Sequence, residues 1–447
     1  MEPLPAGPFF RLVVPAIAMN LSQPLVALVD AAIAGHLGYP DALAGVTMGG
    51  LLFNLLFWGL GFLRMTATGL VAQAFGTRDF PAIGLIAARV LILCGVFGGL
   101  VLAARPGLMP LALEGLGGRG PVLAEAQHYL QARLWSFPLA LANACILGVL
   151  VGCQAVRAAL ALQVFSNGAN ALIAVVWVFG FGGGSAALGT AAALSDLAGS
   201  VMAMWLVAGL GIRLRPPSWR ALLELEAIGH LLRLHFLLFL RTLALILTFA
   251  EFSRLSALQG SVAFAANGLL LNMNTFFGYA LDGFAHVTQA LVGAAWGAGE
   301  RPRLVRIVVS GLMYGVGACL CLSGLVGLCG APILAMLTDL LAVRTEAQIY
   351  LVWLSVLPIV SVWSFVLDGV FIGATRASCL LISMAAAAVA FRWVTVDFVT
   401  AYGNHGLWLG FVIFMAVRAL VLAALFPKWI LRGSANRKAG AGSSAVI

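Results

Sequence analysis

The chain has 447 residues, 62% hydrophobic and only 9% charged, which excludes a soluble globular domain because too few polar side chains remain to cover its surface. The formal charge of +9 is spread through short breaks between apolar runs and forms no single basic patch, so nucleic acid is not an expected partner. Seven scattered cysteines give neither a disulfide framework nor a metal-ligand spacing. No metalloprotease, serine-hydrolase or phosphate-loop motif is present, so no enzyme, metal or cofactor is expected.

A bilayer-spanning helix needs about 20 apolar residues. Twelve such runs follow one another, near residues 9–37, 45–74, 82–105, 122–152, 158–180, 185–212, 229–257, 262–296, 303–330, 343–373, 377–400 and 405–430. They predict an all-α integral membrane protein with lipid as its surrounding partner. The first run lacks a basic leader and a small-residue cleavage site, so it is expected to stay in the mature chain.

Ionisable groups inside such runs are expensive and mark function by default. The first run, "PLVALVDAAIAGHLG", carries Asp30 with no basic residue one turn away. It is a candidate for binding and releasing a proton, with a purely structural carboxylate as the alternative. The fifth run places Asn167 and Asn170 on one helical face. Residues 213–228, with Pro216 and Pro217 ahead of alternating charges, read as a linker with an amphipathic segment. In the seventh run Glu251 has Arg254 three residues on, so an ion pair and a cation or substrate contact are both open. The eighth run carries Asn267, Asn272 and Asp282, candidates for substrate contacts or for gluing helices together. Asp368 in the tenth precedes a glycine and lies near a helix end, where solvation is its alternative.

The two halves are related by a shift of 221 residues. It lays "LVAQAFG" on "LVGAAWG", Gly148 and Gly152 on Gly369 and Gly373, Gly189 on Gly410, and Asp30 on Glu251. The expected division is an N-terminal lobe over 1–212, the linker 213–228, a C-terminal lobe over 229–432 and a tail over 433–447. With a cytoplasmic N-terminus, the cytoplasmic breaks hold Arg78, Arg157, Arg213, Arg215, Arg220, Arg233, Arg301, Arg303, Arg306 and Arg376, and the tail holds Lys428, Arg432, Arg437 and Lys438. The opposite breaks hold Arg105, Arg119 and Arg344. This bias predicts that both termini are cytoplasmic.

The stretches "PLVALVDAAIAGHLG", "FLRMTATGLVAQAFG", "ARLWSFPLALANACILGVLVG", "AANGLLLNMNTFFGYALDGFAH", "LPIVSVWSFVLDGVFIGATRA" and "GNHGLWLG" together resemble the multidrug and toxin extrusion (MATE) transporters of the DinF type. The resemblance implies twelve transmembrane helices in two pseudo-symmetric six-helix lobes around a central cleft, the MATE/MOP-type fold. It also implies a bacterial-type inner membrane, action as a monomer, and export of amphipathic, cationic organic compounds in exchange for protons or sodium ions. By the same resemblance Asp30 is the protonation site, Asn167, Asn170 and Thr190 are its polar partners, Glu251 belongs to a C-terminal cation site and Asp368 is the helix-ten acid. Two positions depart from the pattern. Ala174 stands where many relatives carry an acid, and Glu251 fits the sodium-coupled NorM type better than DinF. Sodium coupling therefore stays open, as does a lipid-linked oligosaccharide flippase of the same superfamily using Arg64, Arg133, Arg241 and Arg392.

Overall fold

The computed structural model of the chain describes residues 3–37, 39–212, 214 and 219–432. These form α-helices without a strand among the described residues: α1 (Ala6–Leu21), α2 (Gln23–Gly35), α3 (Pro40–Gly59), α4 (Phe62–Gly76), α5 (Phe80–Gly115), α6 (Gly120–Arg133), α7 (Phe137–Gly152), α8 (Val156–Val175), α9 (Ser185–Gly209), the short α10 (Trp219–Leu222), α11 (Leu225–Ala257), α12 (Ser261–Gly297), α13 (Arg301–Leu337), α14 (Leu341–Gly373), α15 (Ala377–Tyr402) and α16 (Asn404–Phe426). Among the described residues, eleven stretches are helical, long and apolar enough to cross a membrane. At 37 residues α12 is long enough to cross but is not among the eleven, because Asn267, Asn272, Asn274, Asp282, His286 and Gln289 dilute its apolar character. It lies at the eighth of the expected runs, 262–296.

Several expected spans are broken for identifiable reasons. The run 9–37 divides into α1 and α2, with Pro15 inside α1 and Pro24 at the start of α2, each of which removes a backbone donor. At the junction the Ser22 hydroxyl donates to the Met19 carbonyl at 2.7 Å. The second span divides into α3 and α4 around Gly59 and Gly61, and the fourth into α6 and α7 through a 3₁₀ turn over Leu134–Ser136, next to Pro138.

The helices form two compact units. The N-unit runs from Ala18 to Leu231, and the C-unit takes Leu232 onward together with the chain up to Ile17. The expected boundaries at 212 and 229 differ from this division chiefly at the start of the chain. There α1 docks on α12 and α13: the Leu4 amide donates to Ser310 Oγ at 2.7 Å, the Tyr314 hydroxyl donates to the Leu4 carbonyl at 2.7 Å, and Phe9 and Phe10 pack on the Tyr314 ring with centroids 5.4 and 5.3 Å away. Of the expected linker, Arg213 and residues 215–218 lie outside the described residues, as does the tail 433–447. The described remainder includes α10, which α5 holds through Arg89, whose guanidinium donates to the Ala221 carbonyl and to Glu224 at 3.0 Å.

Within each unit the shift of 221 reappears in the backbone. Three pairs of positions separated by it adopt positive φ: Arg78 (59°) and Gly299 (68°), Gln154 (60°) and Thr375 (55°), and Gly182 (68°) and Gly403 (55°). The glycine pairs explain why. A Cβ on Gly148 would lie 2.8 Å from the Arg64 carbonyl and one on Gly152 2.9 Å from the Thr68 carbonyl. Gly369 and Gly373 press in the same way on the carbonyls of Ala285 and Gln289, which are Arg64 and Thr68 moved by 221. Lipid tails are as apolar as leucine, so helices in a bilayer associate through close backbone packing of this kind. Gly189 and Gly410 break the rule, facing the Tyr129 carbonyl and the Thr395 side chain respectively.

These contacts predict opposite effects for two substitutions. Gly369→Ala drives a Cβ into a carbonyl and is expected to cost about 1–3 kcal/mol. Gly268→Ala on exposed α12 surface meets nothing within 4 Å and should gain about 0.5–1 kcal/mol. Thermal unfolding of the purified proteins in detergent reads both, and a Gly369→Ala protein as stable as wild type would contradict the backbone-contact account.

Candidate functional site

In α2 the buried positions are Asp30, Ile33 and Ala34, spaced to share one helical face. That face meets α3 and α8. Asp30 is only 5% exposed, and its Oδ1 accepts from Asn170 Nδ2 of α8 at 3.0 Å. The Tyr129 hydroxyl of α6 is a second hydrogen-bond partner, and the field of Arg133, one turn further along α6, also reaches the carboxylate. Asn170 Oδ1 is buried with no partner among the described residues, so an unfilled acceptor stands beside the acid. A protonated carboxyl, or a small cation, is the chemistry that would fill it.

Asn167 lies three residues before Asn170 on α8, and Gln163 donates to its Oδ1 at 2.9 Å. Its own amide donates to the Ser22 carbonyl at 2.8 Å, so it holds the α1–α2 junction and not Asp30 itself. The Thr190 hydroxyl donates back to the Ala186 carbonyl of its own helix at 2.8 Å. Ala174 is fully buried in the place where a second acid was expected by resemblance.

Arg133 is committed elsewhere. It pairs with Asp196 of α9, donates to Ser136 Oγ at 2.9 Å, and stacks over the Phe53 ring at 4.0 Å. Ser136 Oγ donates to Asp196 at 2.7 Å, while Asn143 donates to the Asp196 carbonyl at 2.8 Å and accepts from Ser200 at 2.9 Å. One cation therefore stands among two carboxylates, and Asp196 occupies it. Asp30 is left with neutral donors.

The C-unit balances its charges differently. Asp368 is buried, paired with Arg241 of α11 and with Arg418 of α16 at 2.6 Å. Asp282 adds its negative field at Arg418. Of the two readings of Asp368, the alternative of a solvated helix end is not what the structure shows. Glu251 is held by Arg254 at 2.7 and 2.8 Å and approached by Arg392 at 3.7 Å, so the local ion pair is the alternative that the structure shows. Asn267 is buried in a closed network: its amide donates to Ser256 and to Asn404 at 2.7 Å each, and its carbonyl accepts from Asn404 at 2.9 Å and from Trp408 at 2.8 Å. It joins α11, α12 and α16. Asn272 is exposed on α12.

Two site residues escaped the reading of the sequence. Arg418 carries the signal that singled out Asp30, a lone charge in an apolar run, but its partner lies 50 residues away. Tyr129 reads as an ordinary aromatic. The shift of 221 could have found it, since it maps Glu125 and Tyr129 onto Glu346 and Tyr350.

Residues 15–176 and 237–395 match the protein family described as MatE, and the two segments are offset by nearly the same shift as the internal repeat. The chain is 36% identical over 425 residues to the DNA damage-inducible protein F of Escherichia coli (strain K12), covering 94% of this chain and 91% of that protein. It is 27% identical over 452 residues to a probable multidrug resistance protein NorM of Agrobacterium fabrum, covering 94% and 93%. In fold it is similar to a MATE crystal structure in a bent conformation, with a TM-score of 0.86, 20% identity, and coverage of 97% of this chain and 96% of that one. The twofold helical architecture, the matched segments and the whole-length relatives agree: the chain belongs to the MatE family of membrane transporters.

Proposed function

We propose that the chain is a secondary antiporter that exports amphipathic, cationic organic compounds in exchange for protons, with Asp30 as the coupling acid. The carrying observation is the charge count around α6. Arg133 is bound to Asp196, so an ionised Asp30 is an unmatched charge inside the protein, and a bound proton removes it. The relative named for multidrug resistance supports the substrate class. On the charge bias of its breaks, the chain lies in a bacterial-type inner membrane with both termini cytoplasmic, and nothing in the coupling chemistry requires more than one copy.

Proton binding changes what Asp30 asks of α8. Ionised, it accepts from the Asn170 amide, as at the observed 3.0 Å. Protonated, it becomes a donor, and Asn170 can meet it by turning its unfilled Oδ1 toward the acid. Because Asn167 on the same helix holds the Ser22 carbonyl, a shift of α8 against α2 also acts on the α1–α2 junction. This gives alternating access a local trigger. The sodium reading finds less support, since Glu251 already has two guanidiniums beside it. The flippase reading needs free cations, and Arg133 and Arg241 are taken up by Asp196 and Asp368.

The test is efflux of ethidium from proteoliposomes under an imposed pH gradient, an imposed sodium gradient, or neither. The pH gradient alone is expected to drive export. Asp30→Asn should slow it by roughly tenfold or more, and Tyr129→Phe by a smaller factor of about three to ten, the size of one hydrogen bond. Normal export by Asp30→Asn down a pH gradient, or export driven by sodium alone, would overturn the proposal.

If coupling lies in the N-unit, the Asp368 cluster is a matter of stability. Asp368→Asn leaves two buried guanidiniums without their counter-charge and is expected to destabilise by about 3–5 kcal/mol. The triple change Asp368→Leu, Arg241→Met and Arg418→Met should recover most of that loss. Thermal unfolding in detergent separates the two outcomes, and an Asp368→Asn protein of wild-type stability that has lost coupling would move the coupling site to the C-unit.

A further inference from the structure

The C-unit contains a cavity of about 420 Å³ where α15 turns into α16, lined by Trp353, Phe398, Tyr402, His405, Gly406 and Leu409. We propose that this cavity is a binding site for an organic cation of the aromatic phosphonium or quaternary ammonium class, separate from Asp30. Its volume is that of a small-molecule site. Its walls are also fixed in advance. Gly403 turns the chain at φ 55°, Gly406 packs on the Phe398 carbonyl where no Cβ fits, and the Phe398 and Tyr402 rings lie 5.7 Å apart.

The electrostatics favour a cation. An indole N–H can only donate, so in the 3.0 Å bond from Trp353 Nε1 to His405 Nδ1 the imidazole accepts. Its proton then sits on Nε2 and the ring is neutral. The Tyr350 ring meets His405 edge-on at 4.9 Å, and the Tyr350 hydroxyl donates to Glu346 at 3.2 Å. A carboxylate therefore backs the aromatic wall, and none of the six lining residues bears a positive charge. Aromatic faces attract cations, most strongly where water is partly excluded.

The internal repeat separates scaffold from addition. Moved back by 221, Phe398 and Tyr402 fall on Trp177 and Phe181, a ring pair 6.3 Å apart, and Glu346 falls on Glu125. These belong to both units. Trp353, His405 and Gly406, however, fall on Ala132, Gly184 and Ser185, and in the N-unit Ser185 reaches Glu125 directly. The N-unit builds the same corner without the Trp353–His405 pair, so folding alone does not call for that pair. What the two side chains add is a wall around a space.

Binding of radiolabelled tetraphenylphosphonium to the full-length protein in detergent tests the site, measured in wild type and in Asp30→Asn. The Asp30→Asn protein is expected to keep a saturable site that uncharged triphenylphosphine oxide displaces poorly. Trp353→Leu in that background should weaken it about five-fold, and so should Tyr402→Leu, which alters a side chain on a residue 64% exposed and spares the fold. Three results would overturn the proposal: unchanged affinity in both variants, equal displacement by the uncharged competitor or by phosphatidylglycerol, or complete loss of binding in Asp30→Asn. Because the readout is binding and not transport, it stands or falls independently of Asp30 as the coupling acid.

Discussion

A charge inside a bilayer-spanning protein must be matched, because hydrocarbon offers it nothing. Asp196 takes Arg133 in the N-unit, and Asp368 sits between Arg241 and Arg418 in the C-unit. Each pairing also fixes helices. The first joins α6 to α9, with Ser136 and Asn143 tying in the start of α7, and the second joins α11, α14 and α16. Breaking one partner of such a set strands the other, which makes these clusters rigid. Asp30 stands out because it alone of these three acids faces neutral donors. The matching that holds its neighbours leaves Asp30 without a guanidinium of its own.

The internal repeat gives the two units one frame and two uses. Carbonyl-on-glycine packing recurs at Gly148, Gly152, Gly369 and Gly373, and so do the positive-φ turns that close the matching helices. The polar residues hung on that frame have diverged. Asp30 and Glu251 share a repeat position, yet one meets an amide and a phenol while the other is met by two guanidiniums. At the corner between α15 and α16, a glycine answers to a serine in the N-unit, and Trp353 and His405 appear in the C-unit only. Backbone contacts tolerate little change once carbonyls are within reach of a Cβ, whereas side chains facing a space can change singly. That asymmetry explains why the repeat is clearer in glycines than in charges.

The same asymmetry decides what the sequence discloses. Membrane helices, their number and the twofold division follow from hydropathy and spacing, which are local properties. Asp30 and Asn170 are visible because a lone polar group in an apolar run is costly. Glu251 with Arg254 is visible because the partner is three residues away. Arg418 and Arg241 meet Asp368 across 50 and 127 residues, a separation that no periodicity encodes, so the sequence leaves the helix-ten acid open between a coupling role and a solvated end. Asn267 shows a further limit: an intramembrane asparagine looks alike whether it faces a ligand or, as here, closes a network with Ser256, Asn404 and Trp408. The break at Ser22 falls inside the single run expected over 9–37, beside Pro15 and Pro24, and which unit each part joins depends on surfaces, such as Tyr314 and Gly283, far along the chain.

The position of α8 follows from these constraints. Gln163, Asn167 and Asn170 recur at intervals of four and three, so a single polar stripe runs along one face of the helix. Its middle residue holds the Ser22 carbonyl at the junction of α1 and α2, and its last holds Asp30 about two turns into α2. An amide suits the last place because it can donate to a carboxylate and, turned over, accept from a carboxylic acid. Position 174, one turn further on, is a buried alanine, so this helix carries no carboxylate of its own. With Ala174 there, Asp30 is tied through Asn170 to a helix whose Asn167 also grips the break in the chain.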